Sequence, residues 1–333
     1  MSLEPMDSEA VGLEQGRPFL SFIVEEADDG RVLAHLLRRR WRLSRGLVRQ
    51  LKRGPYVLRN GQPVPLRERV AAGDRIALYV PPHLASPVQP EPLPLAIVYE
   101  DDHVLVLDKP PGVLVHPAHG EQTGTLANGV AHHLAAQGVP PVVAPVTRLD
   151  RHTSGLVLFA KHPHAHHALA QALARGQLER EYLALVAGAV AEPSGVIDAP
   201  IRRVAGQLTL REVGPGGQRA VTRYRVLAQA APPAPDPRLP DKAALLAVTL
   251  ETGRTHQIRV HLAYAGYPLL GDPLYGRLLP GLLERQALHA WQLRFPHPLN
   301  GGVLTFTSPL PPDLDRLRER LGLPPVSRLA SPA

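Results

Sequence analysis

Between Pro81 and Pro94, six of fourteen residues are proline. Proline fixes φ near −65° and has no N–H to donate, so such a run cannot continue a helix or a central strand. The chain must therefore divide there. This predicts a disordered extension 1–20, a small domain 21–80, an extended linker 81–94, a larger domain 95–325 and a tail 326–333. A second cluster, five prolines between Ala231 and Pro240, has periodic sequence on both sides and is predicted to be a loop inside the larger domain. Hydrophobic residues make up 44% of the 333 and charged residues 20%, enough apolar surface for each domain to bury a core.

The small domain begins with a predicted strand at Ser21–Glu25, followed by helices over Val32–Arg40 and Ser44–Arg53 with Ser44 as N-cap. Leu47, Val48 and Leu51 recur at helical spacing. The Asn60–Gly61 pair predicts a tight hairpin turn, with a last strand at Arg75–Val80. From Arg31 to Arg59 there are ten basic residues and no acid. Ordinary surfaces intersperse both signs, so Arg38, Arg39, Arg40, Arg45, Arg49, Lys52 and Arg53 are expected to meet a polyanion. The net charge of +7 and pI near 10 point the same way.

The absence of cysteine excludes disulfides, thiolate zinc sites, iron–sulfur clusters and a cysteine nucleophile. Residues 1–20 carry four acids and one base, the reverse of a signal peptide, and no segment is long and apolar enough to span a bilayer. A soluble, cytoplasmic protein with no membrane partner is expected. In the larger domain, strands are predicted at Val104–Leu107, Gly155–Lys161, Tyr182–Val190, Ala220–Leu227, Ala244–Glu251 and Val303–Phe306. Helices are predicted at Gly124–Ala136, His164–Ala174 and Thr255–Tyr264. Neither GxGxxG nor GxxxxGK[ST] follows any strand, so a nucleotide cofactor is not expected. His162, His164, His166 and His167 crowd together without an acid partner or HExxH spacing, and no metal site is assigned to them. Ser154 lacks a GxSxG elbow and is expected to bond backbone in a turn.

The most informative segment is TRLDRHTSGLVLFAK, residues 147–161. In an extended chain residues i−2 and i share a face, which places Arg148 beside Asp150. A guanidinium favours the ionised carboxylate, which suits a nucleophile or base better than a proton donor. By itself such a triplet is more often a structural ion pair holding a loop. It is followed, however, by EREYLALVAG (179–188), ETGRTHQIRVHLAYAGYPLLGDPLYG (251–276) and LHAWQLRFPHP (288–298), and preceded by LVLDKPPGVLVHP (105–117).

This ordered set resembles the RluA family of pseudouridine synthases over about residues 95–310. The basic domain resembles the small RNA-binding module that they share with a small-subunit ribosomal protein. The resemblance implies isomerisation of uridine in structured RNA, ribosomal large-subunit RNA ahead of tRNA, without metal or cofactor. It places the nucleophile on Asp150, acting through ribose C1′ or uracil C6, and the ring against the flipped uracil on Tyr182. Arg148 would help hold the nucleotide out, and Arg259 would pair with the catalytic carboxylate. Arg254 and His256 would contact phosphates or buttress the site, and Asp272 would be a turn residue under the cleft. Where the family usually has histidine before Arg-Leu-Asp, this chain has Thr147. A catalytically silent RNA-binding or assembly factor is the alternative; an RNA deaminase would need His and Cys zinc ligands that a cysteine-free chain lacks. A monomer is favoured. The expected fold is α+β: a mixed, largely antiparallel sheet domain with flanking helices and a central cleft, preceded by the small basic helical and hairpin RNA-binding domain.

Overall fold

A computed structural model describes residues 17–118, 120–138 and 142–329. The small domain is a four-stranded antiparallel sheet of β1 (Leu20–Ile23), β2 (Val57–Arg59), β3 (Gln62–Pro63) and β4 (Arg75–Leu78), in the order β1-β4-β2-β3. Two helices, α1 (Leu33–Arg39) and α2 (Arg45–Leu51), cover it. Leu33, Leu36 and Leu37 of α1 and Leu47, Val48 and Leu51 of α2 pack with Ile76 and Leu78 in one core. Ser44 accepts a hydrogen bond from the Leu47 N–H, the N-cap that its residue type predicts. Asn60 and Gly61 both take positive φ, 52° and 82°, as a two-residue hairpin with the strands' own twist requires.

In the larger domain β5 (Ile97–Glu100) and β6 (Val104–Lys109) lead to α3 (Leu126–Ala136), then β7 (Ala144–Pro145), β8 (Ser154–Ala160) and α4 (Pro163–Ala174). β9 (Glu179–Ala187), β10 (Ser194–Asp198), β11 (Ile201–Arg203), β12 (Arg211–Val213), β13 (Val221–Ala230) and β14 (Ala243–Leu250) follow. The chain closes with α5 (Gln257–Tyr264), β15 (Leu288–Pro296), β16 (Val303–Thr307) and α6 (Pro312–Arg320). The main sheet runs β10-β13-β14-β9-β15-β8-β6-β5, with β16 on β15 and β7 on β8; β11 and β12 form a separate hairpin. All pairs are antiparallel except β15 with β8. The mixed α+β class is as expected.

β15 is legible in the sequence only as a family motif, and it organises the domain. Ala290 pairs with Gly155 on one side and with Tyr182 on the other. The start of β8, and the loop before it, therefore lie one strand away from Tyr182. Gly155 has φ 108°, and a Cβ there would lie 2.2 Å from the Ala290 carbonyl oxygen. No larger residue permits this approach.

Four expectations change. The 81–94 segment opens with a 3-10 turn at Pro82–Leu84 and is docked: Val88 is buried with α3, the Glu91 N–H donates to the Asn128 carbonyl at 3.1 Å, and Ser86 Oγ bonds both backbone groups of Val143. A proline-rich strip with apolar residues gains more by lying on a core than by staying solvated. Part of the predicted extension, residues 17–20, is ordered, with Phe19 buried and its ring 5.0 Å from that of His162; residues 1–16 lie outside the described residues. Of the predicted tail, Val326 and Leu329 pack on an apolar cluster with Leu314, Leu317 and Trp291, while 330–333 lie outside the described residues. α5 begins at Gln257, two residues late, because His256 is left-handed at φ 58°. Among the described residues no helix is long and apolar enough to cross a membrane.

Candidate active site

Asp150 lies in the loop that feeds β8, and the loop is held from behind. Lys109, at the end of β6, is buried and its Nζ donates to the carbonyls of Pro110, Val113 and Arg151, each at 2.8 Å. Burial, reinforced by Arg285 and opposed by Asp150, lowers this amine to about 7. Arg285 donates to the His152 carbonyl at 3.0 Å and pairs with Asp313. Gln286 Nε2 donates to Thr153 Oγ1 at 3.1 Å. Two separate parts of the chain thus clamp the residues that follow Asp150.

The Asp150 carboxylate reaches Arg259 Nη1 at 3.3 Å and lies 4.0 Å from His256 Nε2, with 26% of its side chain exposed. Arg259 is buried and donates through Nε and Nη2 to both oxygens of Asp272, at 2.7 and 2.8 Å. Asp272 in turn accepts from the N–H groups of Leu274 and Tyr275. Burial works against the Asp272 charge, but the hydrogen bonds and charge of Arg259 outweigh it and keep Asp272 below the usual carboxylate range. The Tyr275 ring lies 5.1 Å from the guanidinium carbon of Arg259. Asp272 is therefore a turn residue, as expected, and also the group that aims Arg259. The second role is invisible in the sequence: Asp272 stands in the 251–276 motif, but nothing in its spacing relates it to Arg259.

His256 Nδ1 is hydrogen-bonded to the Tyr275 hydroxyl at 2.9 Å. Burial lowers the imidazole, Asp150 opposes that and Arg259 adds to it, so the site disfavours the charged form of His256. Gln257 staples the turn before α5: its Oε1 accepts from Thr252 Oγ1 and the Arg254 N–H, and its Nε2 donates to the Val221 carbonyl. Tyr182 is buried in the cluster that holds Val248, Ile258 and Ala290, against which Leu149 packs. Burial raises its phenol, against the opposing charge of Arg180 and with a smaller contribution from Asp150.

The structure thus brings Asp150, Tyr182, Arg259 and His256 together. Arg148 is exposed on the same loop, and Arg254 is exposed with its Nε donating to the Arg219 carbonyl at 3.0 Å. The basic residues of the small domain stand elsewhere: Arg38, Arg39, Arg45, Arg49, Lys52 and Arg53 lie on and around α1 and α2. Arg40 differs from them in that Glu25 and Asp28 pair with its guanidinium. Ser154 bonds the buried His289 at 3.0 Å, and not backbone. His162 accepts from the Ala165 N–H as the cap of α4 and bonds His103 at 2.9 Å. Among the described residues no group of three or more His, Asp or Glu is arranged to hold a metal.

Thr147 is buried, and its Oγ1 accepts the Leu158 N–H at 3.0 Å, so it faces away from the cleft as alternation along the loop requires. Thr147→His is expected to change the single-turnover rate less than about threefold, under roughly 0.7 kcal/mol. Its effect should appear in the melting temperature, since a larger ring must enter a filled site. A tenfold rate change at saturating enzyme would place this side chain against the reacting nucleotide.

A partly exposed carboxylate paired with a buried arginine, together with a separate basic module, is the chemistry expected of an enzyme acting on nucleic acid. Similarity to known proteins makes the class specific. Residues 103–264 match the model of the RNA pseudouridylate synthase family, and residues 20–76 match the N-terminal domain of the RluD ribosomal pseudouridine synthase. A Bacillus subtilis protein named as an uncharacterized RNA pseudouridine synthase, YhcT, is 39% identical over 90% of this chain and 96% of its own length. The ribosomal large subunit pseudouridine synthase D of Nitrosomonas europaea is 43% identical over 73% of this chain and 70% of its own. Human RNA pseudouridylate synthase domain containing 4 superposes with a TM-score of 0.54 at 26% identity, covering 72% of this chain and 95% of that one. The chain belongs to the RNA pseudouridine synthase family, with the domain order of the RluA-type enzymes.

Proposed function

We propose that this protein converts uridine to pseudouridine in structured ribosomal large-subunit RNA, with Asp150 as the nucleophile. The observation that carries the reading is the Asp150 carboxylate itself, partly open to the cleft and held beside Arg259 and His256. Asp150 Oδ bonds to ribose C1′ or uracil C6, the N1–C1′ bond breaks, and uracil turns within the pocket. C5 then bonds to C1′, the C5 proton leaves, N1 gains one and the carboxylate is released. A covalent carboxylate adduct divides one hard step into two. Arg259 keeps the carboxylate oriented, and the Tyr182 ring offers the flipped base a surface. Flipping costs about a few kcal/mol, which Arg148 offsets by filling the vacated stack. Ribosomal RNA is favoured over tRNA by the match of the small domain and by the name of the Nitrosomonas relative.

The test is to map pseudouridines in RNA from cells with and without the gene, then to reproduce each missing site with purified protein and transcribed RNA. Loss confined to tRNA would overturn the ribosomal assignment. Arg38→Gln with Arg39→Gln should weaken RNA binding and reduce the slope of log affinity against log salt, by about 0.7 to 0.9 for each phosphate left without its cation. Arg40→Gln should instead lower the melting temperature, because it breaks the pairs with Glu25 and Asp28. An unchanged salt slope in the first variant would mean that α1 presents only a solvated face.

A further inference from the structure

A second cleft, of about 410 Å³, lies beside the active site between the β11–β12 hairpin, the turn at Gly216–Gln218 and the Gly253–Thr255 turn. Arg202, Arg203, Arg211 and Arg254 line it. Arg202 has a carboxylate partner, Glu212 at 2.8 Å. Arg203, Arg211 and Arg254 have no acid within ion-pair distance among the described residues. Arg211 Nη1 donates to the carbonyls of Leu208 and Leu210, and Arg254 Nε to that of Arg219. These bonds orient two guanidinium groups without neutralising them. The turn along one side must be bare of side chain: a Cβ on Gly217 would lie 2.7 Å from the Ile201 carbonyl carbon. Three uncompensated cations around a cleft, two of them oriented, make a receptor for an anion with several acceptor oxygens.

The cleft is joined to the nucleophile. The Arg211 N–H donates to the Tyr275 hydroxyl at 2.9 Å, that hydroxyl bonds His256 Nδ1 at 2.9 Å, and His256 Nε2 lies 4.0 Å from Asp150. Another large cavity, of about 510 Å³, is lined by Asp101 and Asp102 and has the wrong charge for a phosphate. We propose that Arg203, Arg211 and Arg254 form a phosphodiester-binding subsite that grips the RNA strand next to the flipped uridine, so that the strand is fixed while the base moves. This rests on the reading that the chain acts on RNA. Contacts of this kind position the substrate and carry no sequence information.

The experiment uses the full chain and unmodified transcribed large-subunit ribosomal RNA, and reads binding without turnover. For the variant carrying Arg203→Gln, Arg211→Gln and Arg254→Gln, affinity at fixed salt should fall at least tenfold. The log–log salt slope should drop by about 0.7 for each phosphate that the variant no longer neutralises. Arg203→Gln alone, at an exposed position with no ion pair to break, should lower the slope by about one such step without changing the melting temperature. Replacing all three by lysine should restore the slope. Ethylation of individual phosphates should show interference for wild type that disappears in the triple variant, within a few nucleotides of the modified uridine. Unchanged slopes in both glutamine variants, or an interference pattern that all variants share, would overturn the subsite. Because affinity and salt slope are read directly, those two results do not depend on whether the transcript is isomerised. Failure of wild type to form pseudouridine would count against the proposed activity and leave the slope comparison standing.

Discussion

Asp150→Asn should abolish pseudouridine formation, by about a thousandfold or more, equivalent to roughly 4 kcal/mol of barrier. An amide retains the size and one acceptor of the carboxylate but cannot form the covalent adduct. RNA affinity should stay within about threefold, or rise slightly, because the substitution removes a negative charge near phosphates. Folding should be little affected: Arg259 keeps its bidentate pair with Asp272, and the 3.3 Å approach to Asp150 is the weaker of its two carboxylate interactions. Single-turnover assays with excess enzyme, and filter binding on the same RNA, separate these effects. Turnover above a tenth of wild type would show that Asp150 is not the nucleophile.

Asp272→Ala should cost about 3–5 kcal/mol of stability, because it leaves Arg259 buried without its principal counter-charge. For a domain of this size that lowers the melting temperature by about 10 °C. It should also depress turnover, since a guanidinium released from Asp272 can close on Asp150 and occupy the oxygen that must attack. Asp272→Asn keeps an acceptor for the Leu274 and Tyr275 N–H groups and for one guanidinium N–H. It should therefore melt between wild type and Asp272→Ala. Thermal melts in parallel with single-turnover rates give both readouts. A shift under about 2 °C for the alanine variant would mean that Arg259 finds solvent or another partner, and that Asp272 does not aim it.

The residues behind these two predictions differ in how visible they are along the chain. Asp150 stands in a contiguous run whose pattern can be read directly, and so does Arg148 beside it. The partnership of Arg259 with Asp150 is expected too, through resemblance. Asp272 and Tyr275 cannot be recognised as partners of the site, because a turn aspartate and a loop tyrosine look ordinary in one dimension. Lys109 lies within the 105–117 motif, yet its role is hidden there. The three carbonyls converging on its ammonium come from Pro110, Val113 and Arg151, and no local pattern shows their meeting. Arg40 illustrates the opposite case. It lies within a run of bases free of acids, but Glu25 and Asp28, placed before that run, fold back onto it.

What the sequence alone determined is local or periodic: the Ser44 cap, the Asn60–Gly61 turn, the helical spacing of Leu47, Val48 and Leu51, and the mixed α+β class. Each depends on backbone preferences or on residue order, which are properties of neighbouring positions. Tertiary structure alone decided the rest. It laid β15 between β8 and β9, so that only Ala290 separates Gly155 from Tyr182, and it carried the 81–94 segment onto α3. It also turned separated arginines on β11, β12 and the turn before α5 into one cleft. The reason is that strand pairing and charge compensation depend on distances between residues far apart in the chain, and those distances exist only once the sheet has closed its register.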